Sequence, residues 1–211
     1  MHDTALIAGK LFSETYGKNG YTVLDIGGLN INGSLRNFFV EGGMNYICVD
    51  IESHPSVDIV VEPGNKLPFE TGTVDLIVST SCFEHDPCFW LTFKEMSRIL
   101  KIGGHIYVNA PSNGIYHEHP GDNWRFYSDA GQALSYWSNR RVSNEEVYPV
   151  KVVETFNILG DNWNDFVCIF KRCESNDSEL NYITVQTGVL NNIGKLESTI
   201  NSYGLQTRHR C

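Results

Sequence analysis

The chain has 211 residues, 41% hydrophobic and 19% charged, which suits one domain large enough for a full core. Its net charge of −9 argues against a broad nucleic-acid or anionic-membrane surface. No apolar run reaches the length of a bilayer span, and the first residues show no signal-peptide pattern. The six cysteines form no C-x-x-C pair and several lie in apolar runs, so they read as reduced thiols of a cytoplasmic protein.

In chain order, Leu6, Ile7, Leu11, Phe12 and Tyr16 recur at helical spacing over 3–17, behind Asp3 or Thr4 as N-cap. An apolar run over 21–26 predicts the first strand. It ends in Asp25, Gly27 and Gly28, a tight turn before a short helix near 34–40. Further strands are expected over 46–51, 57–61, 74–79 and 105–110, with a helix over about 88–100 stopped by Gly103-Gly104. Such alternation of strands and helices, with nearly continuous apolar strands, means a parallel sheet covered on both faces. Residues 111–127 show no period. A helix near 128–138 follows, then strands over about 147–158 and 165–172, whose short connection requires an antiparallel pair. Composition shifts near 174, so residues 1–173 are expected to form the main domain. Residues 174–211 form an extension, with a strand at 182–185 and a weak helix over 189–203.

In an open α/β sheet, ligands bind beyond the carboxyl ends of the strands, where the strand order reverses. Four segments converge there: the Asp25–Gly28 turn, Asp50, Glu62 with Lys66-Leu67-Pro68-Phe69, and Ser79 to His85. Asp50 lies about 20 residues beyond the turn, the usual place for an acid that bonds ribose hydroxyls.

The blocks V-L-D-I-G-G, Y-I-C-V-D, L-P-F-E-T-G-T-V-D-L-I-V-S-T-S-C-F-E-H and E-M-S-R-I-L-K-I-G-G-H-I-Y-V-N-A-P resemble the class I S-adenosylmethionine (SAM)-dependent methyltransferases of the type 11 kind. The resemblance covers about residues 21–172. It implies a Rossmann-like α/β fold: a seven-stranded, mostly parallel sheet, its last strand antiparallel, with helices on both faces. It also implies that Asp25, Gly27, Gly28 and the turn through Gly33 wrap the methionine part of SAM. Asp50 would take the ribose hydroxyls and Ile51 would pack on the adenine. Glu62 would face the adenine amino group, and Ser79 and Ser81 would line the methyl end. The family's D-x-G-x-G-x-G loop is longer here and lacks glycine over residues 29–32. A second resemblance, through A-P-S-N-G, His117, Pro120, Asp122 and W-R-F-Y, is to a subgroup found among glycan-biosynthesis proteins, including glycan-modifying proteins of large algal viruses. It implies O-methylation of a sugar hydroxyl, such as one on a 6-deoxyhexose like rhamnose, in a glycan or nucleotide sugar.

Such a hydroxyl is weakly acidic and needs a base. His117 is the first candidate, with Asp122 as its orienter or as the base itself, and His85 is a third. Asn113, His119, Trp124, Arg125 and Tyr127 are candidate acceptor-binding residues. The aromatics either stack on a sugar or seat the loop, and Arg125 either binds an anion or pairs with Asp122 or Asp129. His117-x-His119 with His85, Asp86, Glu118 and Asp122 offers ligand types for a divalent ion but no fixed metal-site spacing, so no metal is assigned. The expected partners are a sugar or glycan substrate and a second copy of the chain in a homodimer, with no nucleic acid and no membrane insertion. The alternatives are an acceptor among small metabolites, lipids or protein side chains, and a non-catalytic SAM-fold binding module.

Overall fold

The computed structural model describes residues 3–118, 120–139, 146–160, 163–174 and 195–199. The apolar runs become Thr22–Ile26 (β1), Asn45–Asp50 (β2), Ile59–Val60 (β3), Val74–Thr80 (β4), Leu100–Pro111 (β5), Val150–Leu159 (β6) and Asn164–Arg172 (β7), with Lys195–Thr199 (β8) added beyond them. They form one eight-stranded sheet in the order β3-β2-β1-β4-β5-β7-β6-β8. β1 pairs parallel with β2 and β4, β2 with β3, and β4 with β5. β7 runs antiparallel to both β5 and β6. The first seven strands thus have the expected Rossmann-like arrangement, with the reversal of strand order beside β1.

Four helices cover the sheet among the described residues: Asp3–Tyr16 (α1), Arg36–Glu41 (α2), Phe89–Ile99 (α3) and Ala130–Ser138 (α4). On one face, Phe12 of α1 and Phe39 of α2 pack with Leu35 against Val78, Tyr107 and Ile169. On the other, Phe93 and Met96 of α3 and Leu134 of α4 pack against Ile77, Val108 and Phe170. Burial on both faces explains why β1 and β4 read as nearly continuous apolar runs.

Three expectations are corrected. The third strand is only Ile59–Val60 rather than 57–61. Gly103-Gly104 do not stop α3. The helix ends at Ile99, Leu100 already pairs with Val74, and the glycines fall in β5 where its pairing with β4 shifts register between Val74 and Leu76. Residues 195–199 lie in a strand where a helix over 189–203 was expected, because β6 would otherwise leave its backbone groups unpaired at the sheet edge. They pair antiparallel from Thr155↔Thr199 to Leu159↔Lys195. A short segment with a weak apolar stripe has little helical stability of its own. The strand expected at 182–185 lies outside the described residues.

The two most diagnostic sequence blocks are tied together by one buried side chain. Arg98, from R-I-L-K-I-G-G, donates to the carbonyls of Leu67 (3.0 Å) and Phe69 (2.8 Å) in L-P-F and pairs with Glu95 at 2.7 Å. That anchoring holds Leu67 where it forms part of the wall of the cleft described next.

Candidate active site

A cleft of about 630 Å³ opens beyond the carboxyl ends of β1, β2 and β4. Its volume lies within the range of small-molecule sites. At one end, β1 delivers Asp25 and the Gly27–Gly28 turn. Gly27 N–H donates to the Val49 carbonyl (2.8 Å), which pulls the turn down onto β2. Gly27 has φ +73°, and a Cβ there would come 2.3 Å from Cys82 Sγ, while a Cβ on Gly28 would come 2.5 Å from Asp25 Oδ2. Gly27→Ala therefore combines a left-handed backbone penalty with a clash. Urea denaturation is expected to show a loss of about 2–4 kcal/mol.

Asp25 is buried and receives the Tyr46 hydroxyl. Burial, reinforced by the nearby Asp50 charge, raises its carboxyl to about 6 against the lowering effect of Tyr46 and Arg36. Asp50 ends β2. Its Oδ2 accepts from Leu29 N–H (3.0 Å) and its Oδ1 from Glu52 N–H (3.1 Å). Each carboxylate oxygen thus keeps acceptor capacity for one further donor in the cleft. Ile51 stands beside it, 48% exposed, and Glu62, Gly33 and Ser81 line the same cleft. Ser81 has φ +51°, a strained conformation for a residue with a side chain, next to the turn.

The other end is lined by Glu84, His85, His117 and Trp163. The His85 and His117 rings meet edge-on at 5.0 Å, and Trp163 lies 5.1 Å from His117. His85 Nδ1 bonds the Gly121 carbonyl, and its Nε2 lies 3.6 Å from Glu84 Oε1. Glu84 is 1% exposed, and burial raises its carboxyl to about 8. Its Oε2 has no hydrogen-bond partner among the described residues. His117 Nδ1 lies 3.3 Å from Asp122 Oδ2, which also accepts the His117 backbone N–H (2.9 Å). Arg125 pairs with Asp122 through both guanidinium arms, and that hydrogen bonding holds the Asp122 carboxyl down at about 2.

Of the residues singled out from the sequence, Asp25, Gly27, Gly28, Gly33, Asp50, Ile51, Glu62, Ser81, His85 and His117 line this one cleft. Ser79 does not: it is fully buried in β4. Asp122 stands behind His117 with 2% of its side chain exposed. Asn113 accepts from the Asn164 N–H (2.7 Å), and Trp124 donates to the Asp86 carbonyl (2.9 Å) while packing on Phe89 and Trp90. Arg125 also bonds the Ile115 and Trp124 carbonyls, so it holds the loop together. Tyr127 is 74% exposed and outside the cleft wall. His119 lies outside the described residues. Asp86, weighed as a metal-ligand type, instead accepts the Cys88 N–H (2.8 Å) at the start of α3. Glu84 and Trp163 were missed. Glu84 carried a signal, an acid beside His85 at the end of β4. Trp163 carried none, since it comes from the β6–β7 connection.

Residues 24–108 match the family described as Methyltransferase domain. An uncharacterized methyltransferase of Mycobacterium sp. (strain KMS) is 33% identical over 114 residues, covering 48% of this chain and 44% of the relative. The chain thus spans less than half the length of the curated relatives it matches. The Burkholderia thailandensis 1,6-didemethyltoxoflavin-N1-methyltransferase, solved with bound 1,6-didemethyltoxoflavin and S-adenosylhomocysteine, superposes with a TM-score of 0.59 at 14% identity, over 82% of this chain and 79% of that one. The [4+2]-cyclase SpnF superposes with a TM-score of 0.61 at 9% identity, over 80% of this chain and 81% of that one. Likeness at such identities concerns the fold, which hosts more than one chemistry. Among the described residues no helix is long and apolar enough to cross a membrane. Residues 24–108 thus resemble a methyltransferase domain, and the strand order around them is the Rossmann-like one of the solved methyltransferases.

Proposed function

We propose that this chain transfers the methyl group of SAM to a hydroxyl oxygen of a sugar, releasing S-adenosylhomocysteine. The observation that carries the reading is one cleft lined by two chemically distinct groups, which we assign to its two ends: Asp25, the glycine turn and Asp50, and the His85–His117 pair beside Trp163. SAM fits the first end. Asp50 receives the ribose hydroxyls, Ile51 covers the adenine and Glu62 faces its amino group. Asp25 and the turn through Gly33 hold the methionine part, whose ammonium an ionised Asp25 attracts. Ser81 lies toward the methyl group.

The acceptor then occupies the second end. Methyl transfer is an in-line displacement: the acceptor oxygen bonds to the methyl carbon as the carbon–sulfur bond breaks, and its electron pair leaves with sulfur. The hydroxyl proton passes to His117 Nε2, while Nδ1 faces the Ile115 carbonyl and the Asp122 carboxylate, whose charge stabilises the imidazolium that forms. Asp122 itself is a poor base, because Arg125 occupies both its oxygens and stabilises its charge. Trp163 gives the acceptor end an aromatic face, and such a face matches the apolar C–H side of a pyranose. Residues 1–173 would make up this catalytic domain.

The test is incubation with methyl-labelled SAM and a panel of sugars, nucleotide sugars and glycans, with amines and carboxylates alongside. Label is expected as an ether on a sugar. Label confined to an amine or a carboxylate overturns the sugar reading, and SAM binding without transfer to any acceptor counts against catalysis.

A further inference from the structure

The acceptor end holds a constellation that proton acceptance by one histidine does not use up. One ligand-type atom each of Glu84, His85 and His117 lies within 4.8 Å of the other two, close enough for modest side-chain movement to bring all three onto one ion. Two features point to a cation. Glu84 is 1% exposed, lines the cleft, and has Oε2 buried without a hydrogen-bond partner among the described residues. A buried carboxyl oxygen left in that condition is costly unless something cationic or donating completes it. Both imidazoles, in turn, meet acceptors at Nδ1: His85 the Gly121 carbonyl, and His117 the Ile115 carbonyl (3.5 Å), with the Asp122 carboxylate 3.3 Å away. An acceptor at Nδ1 fixes the tautomer with its lone pair on Nε2, the arrangement that outer partners impose on metal-bound histidines.

We propose that Glu84, His85 and His117 form a binding site for one divalent transition-metal cation of the zinc class. Two imidazole nitrogens and one carboxylate suit zinc or cobalt and do not suit magnesium, which takes oxygen ligands in an octahedron. Three protein ligands at the wall of an open cleft leave coordination positions facing the acceptor space. Metal and proton compete for His117 Nε2. Bound zinc therefore suppresses any methyl transfer in which His117 takes the proton. That consequence rests on the function proposed above; the binding site itself does not.

The experiment is calorimetric titration of the metal-free full chain with zinc chloride and with magnesium chloride, repeated on Glu84→Gln and His117→Ala. Circular dichroism on each sample shows that it is folded, and SAM is titrated separately to test the functional reading. The expected result is one zinc per chain, affinity at least tenfold weaker in each variant, and magnesium binding weaker than zinc. Cobalt in place of zinc is expected to give the visible absorption of a low-coordinate nitrogen–oxygen site. Absence of zinc binding, equal zinc affinity in the wild type and both variants, or tighter binding of magnesium overturns the proposal. Zinc binding with no SAM binding overturns the functional reading and leaves the metal site standing.

Discussion

Replacing Asp50 with alanine is expected to weaken SAM binding by about 100-fold or more, read by calorimetry on the folded protein. The size follows from what the carboxylate does in the proposed complex. Hydrogen bonds to a charged group contribute about 1.5–3 kcal/mol each, and two ribose hydroxyls are involved. The same side chain anchors the glycine loop through Leu29 N–H and the following turn through Glu52 N–H. Its loss therefore also frees the backbone that would face the methionine part. Asp50→Asn keeps one carbonyl oxygen and is expected to fall between the wild type and alanine. Unaltered affinity in Asp50→Ala would remove the cofactor from this end of the cleft.

Replacing His117 with alanine is expected to leave SAM affinity near the wild-type value and to lower kcat by about 100- to 10,000-fold, the usual contribution of a positioned general base. The ring is more than a third exposed on a loop, so its truncation opens no core cavity. Among the described residues it makes no hydrogen bond to Asp25, Asp50 or the glycine turn, so the proposed cofactor contacts are untouched. Asp122→Asn is expected to have a smaller effect in the same direction, because it removes the charge that orients the ring without removing the ring. A His117→Ala enzyme with unchanged turnover would transfer the role of base to His85, whose Nε2 lies 3.6 Å from Glu84 Oε1.

The part of the cleft proposed for SAM was legible in the sequence as a cluster of residues because it is built from strand ends. Asp25, Asp50 and Glu62 each follow an apolar run, and a parallel sheet brings such ends to one edge in a known order. The part proposed for the acceptor was only half legible. Residues 111–127 have no period, so nothing in the sequence tells which side chains face inward. His117 turns into the cleft, whereas Asp122 and Arg125 turn to each other, and Trp124 donates to the Asp86 carbonyl. Glu84 meets His117 across 33 positions of chain, and Trp163 arrives from the β6–β7 connection; both are tertiary juxtapositions with no local signature. β8 was missed for a similar reason. A weak helical stripe lost to the unpaired edge of β6, which lies far away in sequence.

Whether the cleft takes SAM is decided by titrating the purified chain with it. Saturable binding of one SAM per chain is expected, abolished or weakened by at least 100-fold in Asp50→Ala and little changed in His117→Ala. A folded wild-type chain that takes up no SAM would contradict it.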